Sequence, residues 1–146
     1  MSQADPKWAL FEAYLATAEK VSERRAGANS WMLTVNSAIV GLYGYLQADK
    51  LAVSAGQKAI WLWAIPIAGI IVCVAWNALL ESYRKLNSAK FTVLQQLEAE
   101  LPSQPFAREQ EAYRRAGRRG LATVEKFIPL CFILLYGAIL GAAILR

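Results

Sequence analysis

Histidine is absent from this chain and cysteine occurs only twice. Without histidine there is no Ser-His-Asp or Cys-His arrangement and no imidazole to hold a metal. Two cysteines fall short of a structural zinc site or a disulfide framework. Cys73 and Cys131 each stand alone among aliphatic neighbours and read as small packing residues. There is also no glycine-rich loop to cradle a phosphate and no paired-carboxylate site. Only carboxylates and lysines remain as acid–base groups. The expectation is therefore a protein that is not an enzyme, with no cofactor and no metal.

Charge is scarce in three stretches, Ser30 to Leu46, Ile60 to Leu80 and Lys126 to Leu145. Each approaches the roughly 17–25 residues that a helix needs to cross about 30 Å of hydrocarbon. A composition 56% hydrophobic and only 18% charged points the same way, since a soluble core of this size does not need three such runs. Helices are the economical form, because every backbone donor inside lipid must be satisfied within its own segment. A signal peptide is not expected: the first 30 residues carry Asp5, Lys7, Glu12, Glu19, Lys20, Glu23, Arg24 and Arg25 where an apolar core would sit.

Lys and Arg concentrate in two places, the N-terminal segment (Lys7, Lys20, Arg24, Arg25) and the segment from Glu81 to Lys126. The connection from Gln47 to Lys58 holds only Lys50 and Lys58. By the positive-inside rule, the N-terminus and the large insert are cytoplasmic and the C-terminus is periplasmic or external. For a bacterial chain this means a multi-pass protein of the inner membrane. The net charge of +5 suits anionic lipid, so membrane lipids are expected partners. A nucleic-acid partner is not expected, because the basic residues flank the spans and no recognition module accompanies them.

Helix breakers are few and informative. Asp5-Pro6 is a good helix start, and no proline follows until Pro66, so the first helix is predicted over 6–46 with a soft place at Gly27 and Asn29. Its Phe11, Tyr14, Leu15, Ala18, Val21 and Ser22 form a narrow stripe at helical spacing. Pro66 and Gly69 predict a kink in the second span. No breaker separates Trp76 from Leu101, so that span is predicted to continue out of the membrane as one helix over 59–101, about 60 Å long. Leu79, Tyr83, Leu86, Val93 and Leu97 make the stripe by which its projecting half finds a partner. Pro102 to Pro105 is a turn, a short charged helix follows over 106–119, Gly117 and Gly120 permit a break, and the last span covers 122–145. The fold class is an all-α membrane protein. It is a single membrane-embedded domain over 1–146, with three transmembrane helices whose long members extend into a cytoplasmic helical bundle. Trp8, Phe11, Tyr14, Tyr83, Phe91, Phe106 and Tyr113 are expected in the core of that bundle.

Two constellations are candidate sites. In the first span Ala26, Ser30, Thr34, Ser37, Gly41 and Gly44 share one face, flanked by Asn29 and Asn36. With Gly137 and Gly141 of the last span, they are the residues expected to face another subunit or a pore, since small residues let helices approach and hydroxyls bond between them. The second is a juxtamembrane set, Arg24, Arg25, Glu81, Arg84, Lys85, Asn87, Lys90, Glu125 and Lys126. It reads as an ion-pair network, a lipid-headgroup site or a ligand pathway.

The runs AEKVSERRAGANSWMLTVNSAIVG (Ala18 to Gly41) and WNALLESYRKLNSAKFTVLQQLEAELP (Trp76 to Pro102), with VEKFIP (Val124 to Pro129), resemble the RipA-like family of small octameric bacterial inner-membrane proteins. The most specific parts are Ser22 to Arg25 leading to Asn29 and Asn36, and Ser82 to Phe91. The resemblance implies a homo-oligomer, an octamer, and supplies no catalytic residues. The function expected is a non-enzymatic membrane assembly or scaffold in the form of a homo-oligomeric ring, serving stress or host adaptation. The alternative is a pore-forming, channel or transport-like membrane effector.

Overall fold

A computed structural model describes residues 6–48, 50, 52–101, 104–115 and 125–145; the side chains of Gln110, Tyr113 and Arg114 are outside that description. The predicted roles of Asp5, Pro102, Tyr113, Gly117 and Gly120, and the helical stretches 116–119 and 122–124, lie outside the described residues. Within them the chain is helical, with no strand.

Helix α1 runs unbroken over Pro6–Gln47, 42 residues without a bend in helical assignment at Gly27 or Asn29. Helix α2 covers Ala55–Glu98, 44 residues. It begins earlier than the predicted 59 because Ser54 and Gln57 form a capping box, in which each side chain bonds the other residue's backbone amide. It passes through Pro66 without interruption and ends at Glu98 rather than at the breaker Pro102. Helix α3 is Pro105–Arg115, with proline in the first turn, where its missing N–H costs nothing. Helix α4 is Phe127–Ile144.

The pairing register follows from cross-helix contacts. Lys7 meets Glu100, Thr17 meets Lys90, Asn29 meets Trp76 and Asn36 meets Cys73, so α1 and α2 are antiparallel along their length. Arg25 meets Glu125 and Asn36 meets Tyr136, so α4 runs parallel to α1 and antiparallel to α2. At about 1.5 Å per residue each long helix measures over 60 Å, roughly twice a hydrocarbon layer. The molecule therefore has two halves, three helices at one end and the α1–α2 pair with α3 at the other.

In the α3 end, Phe11, Ala18 and Leu94 are buried against Tyr14, Leu15, Leu97, Leu101 and Phe106. The Phe106 ring lies 6.0 Å from Phe11 and 6.4 Å from Phe91, and Trp8 stacks on Phe11 at 5.6 Å. The buried seam of α2 is Leu80, Leu94 and Glu98, one position from the expected stripe, whose Leu86 is 46% exposed. Glu98 is buried because its carboxylate accepts the Phe106 amide at 2.6 Å and the Ala107 amide at 3.1 Å, capping α3.

Among the described residues two helices, α2 and α4, are long and apolar enough to cross a membrane. Only 28% and 11% of their most apolar 18-residue windows are buried within the chain. A soluble core helix would be mostly covered; these expose Ile60, Ile67, Ile71, Val74, Leu130, Leu134 and Leu135 instead. The α1 segment beside them falls short of the same apolarity, because Asn29, Ser30, Thr34, Asn36 and Ser37 dilute it.

Candidate functional site

Asn36, at the centre of the three-helix half, is fully buried. Its Nδ2 donates back to the Met32 carbonyl at 2.9 Å. Its Oδ1 accepts from the Cys73 thiol at 3.1 Å and lies 3.2 Å from the Tyr136 hydroxyl, which stands equally far from the Asn36 carbonyl. One side chain from each of three helices thus satisfies a polar node among apolar neighbours. A buried amide left unpaired costs roughly 1–3 kcal/mol, so the partners decide which way Asn36 turns.

The packing around the node follows from one missing side chain. A Cβ on Gly69 would come well inside van der Waals contact with the Tyr136 ring, so glycine lets that ring lie against α2. Phe132 stands 6.3 Å from Tyr136 and 6.4 Å from Trp76, both fully buried, and the Trp76 indole donates to Asn29 Oδ1 at 2.8 Å. Asn29 and Asn36 each take a hydrogen bond from α2, two turns apart. Cys73, expected as a packing residue, is buried and also a donor. Sequence reasoning missed Tyr136 and Trp76; the available signal was a polar-tipped aromatic inside each apolar run.

The expected subunit- or pore-facing set is thereby divided. Asn29 and Asn36 turn into the protomer, while Ser30, Thr34, Ser37, Gly41 and Gly44, with Ala26, are exposed along α1. Among the described residues a Cβ at Gly41 or Gly44 would meet nothing within 4 Å, so their contacts do not require glycine there. Thr34 already donates to the Ser30 carbonyl at 3.0 Å. On α4, Gly137 is exposed and Gly141 half-buried, again with nothing within 4 Å of an added Cβ.

The juxtamembrane set is divided as well. Glu81 pairs with Lys126 and, at 2.7 Å, with Arg84, while Arg25 lies 3.6 Å from Glu125. Hydrogen bonds from Lys126 and then Arg84 hold the Glu81 carboxyl down to about 2 from an ordinary 4.5. These five residues and Asn87 form a layer where α1, α2 and α4 come together. Asn87 Oδ1 is buried in it with no hydrogen-bond partner among the described residues. Arg24 and Lys85 are exposed. Lys90 belongs lower down, donating to Thr17 Oγ1 at 2.9 Å with its ammonium 4.9 Å from the Tyr14 ring centre.

No curated protein and no solved structure matches the chain. A family model does match, over residues 8–145. That span includes all of α2, α3 and α4 and nearly all of α1, and so the Asn36 node, the exposed small-residue stripe and the charged layer together. The chain belongs to the octameric membrane protein family.

Proposed function

We propose that this membrane protein acts as a non-enzymatic scaffold, a closed homo-oligomeric ring of eight protomers in a bacterial inner membrane, of RipA-like kinship and serving stress or host adaptation. The observation that carries the reading is the stripe of Ala26, Ser30, Thr34, Ser37, Gly41 and Gly44. It lies exposed along α1, while the polar residues beside it, Asn29 and Asn36, are used inside the protomer. Small residues at three- and four-residue spacing let a neighbouring helix approach closely. A contact of α1 with a different face of the next copy is head-to-tail, and such contacts close into rings when the rotation permits.

In this reading α1 supplies the third span, shielded on one side by α2 and on the other by the next protomer. The N-terminus and the α2–α4 connection are cytoplasmic and the C-terminus lies outside, following the distribution of Lys and Arg. The node residues Cys73, Tyr136 and Asn36 bond to one another, which supports a structural role over a chemical one.

The test is assembly. Detergent-purified protein, 16.1 kDa per chain, should give an eightfold mass in mass photometry, and Gly41→Leu with Gly44→Leu should shift it toward smaller species. A wild-type monomer at every concentration sinks the reading.

A pore-forming or channel-like effector is the second reading, favoured by the exposed Ser30 and Ser37. Ion flux in liposomes, abolished by Ser30→Leu with Ser37→Leu in an intact ring, would establish it. An impermeable ring leaves the scaffold.

A further inference from the structure

Bordering the charged layer and sharing its Arg25, Arg84 and Asn87 is an open cleft of about 280 Å³ lined by α1 and α2, just under the usual range of small-molecule sites. Arg25 comes from α1; Arg84, Asn87, Ser88, Phe91 and Thr92 come from successive turns of α2. No carboxylate is among the residues that line it. Each arginine spends one contact on a neighbouring acid, Arg25 on Glu125 and Arg84 on Glu81. A guanidinium has five N–H donors, so both retain donors for an anion.

Depth in the bilayer narrows the ligand. The apolar run of α2 ends at Leu80, and at about 1.5 Å per residue Arg84 and Asn87 follow some 6 and 10 Å further on. A bilayer of about 30 Å hydrocarbon and 40–45 Å in all has a headgroup region of about 5–7 Å on each side, which puts phosphates at the level of Arg84 and the outer arm of a headgroup toward Asn87. Asn87 narrows it further. Asn87 lines the cleft and its buried Oδ1 has no hydrogen-bond partner among the described residues, so an occupant that brings a donor as well as a negative charge fits both features.

We propose that this cleft binds a phosphate group that carries its own hydrogen-bond donor. The phosphate oxygens accept from Arg25 and Arg84, and the donor meets Asn87 Oδ1. Two sources share this chemistry. One is a phospholipid headgroup with an ammonium or hydroxyl on its ester arm; the other is free phosphate, through its P–OH. A choline headgroup carries the phosphate but has no N–H to offer, which makes it the natural comparison.

The purified full-length assembly would be offered phosphatidylethanolamine or phosphatidylcholine and examined by native mass spectrometry. Binding of inorganic phosphate would be followed by phosphorus NMR. With a lipid source, phosphatidylethanolamine is retained roughly tenfold over phosphatidylcholine, the scale of one charge-assisted hydrogen bond. Asn87→Leu, or Asn87→Ala, brings that ratio to about one, and Arg84→Gln weakens both lipids. With free phosphate as the source, the phosphorus signal broadens saturably and Arg84→Gln abolishes the effect. Arg84 is half exposed, so this replacement leaves the packing intact and keeps the test decisive. Equal retention of the two lipids without saturable phosphate binding overturns the proposal, and so does binding that none of these replacements changes.

Discussion

The Tyr136 ring occupies the space in which a side chain at residue 69 would begin. Gly69→Ala therefore forces the ring away from α2 and pulls its hydroxyl from Asn36. Overpacking combined with a lost buried hydrogen bond should cost roughly 2–4 kcal/mol. Thermal unfolding in detergent, followed by tryptophan fluorescence, measures it; an unshifted midpoint would show that α4 is not seated as described.

Asn36→Ala should cost more than Tyr136→Phe. The first strands the Cys73 thiol and leaves the Tyr136 phenol only the main-chain carbonyl of residue 36, whereas the second removes only one donor. In a double-mutant cycle the two positions should couple by about 0.6–1.7 kcal/mol, the range found between membrane helices. Strict additivity would contradict the node.

Glu81 makes stability depend on pH. Its folded carboxyl titrates at about 2 against an ordinary 4.5, so the unfolded chain takes up the proton first as pH falls. The contribution is complete above about 4.5 and is lost between there and about 2. Glu81→Gln should flatten the unfolding midpoint across that window. Parallel wild-type and variant profiles would rule the effect out.

Glu98→Ala removes the acceptor for two amides at the start of α3. Loss of a cap of this kind costs about 1 kcal/mol, and buried amides left open add to it. Hydrogen exchange at Phe106 and Ala107 should accelerate by roughly an order of magnitude. Unchanged protection would mean that α3 is held by Phe106 packing alone.

Much of the fold could be read from the sequence because it depends on local signals. The absence of breakers from Trp76 onward gave α2 its length, and charge replacing apolar residues at Glu81 placed the layer now seen around it. What escaped depends on other helices. The wheel of α1 groups Ser30 and Ser37 on one small-residue face with Asn36 at its flank, but only Cys73 and Tyr136 show that Asn36 turns inward. Gly69 looked like a companion to Pro66 in a kink, since nothing near it in sequence reveals the ring it must clear. The Glu98 cap was hidden for the same reason: the carboxylate stands eight residues before the first amide it accepts. On α2, a heptad phase carried down from Leu79 arrives one residue out of step with the buried Leu94, and Leu86, which that phase places in the seam, is exposed.

The uninterrupted passage of α2 from Ala55 to Glu98 gives the protomer mechanical continuity. From Ile67 to Glu98 the helix holds no proline, so a change of tilt in the apolar half swings the α3 end as a lever. Helices tilt when bilayer thickness changes. In the proposed ring, the circle of distal tips would widen or narrow with the thickness of the lipid that holds the other end.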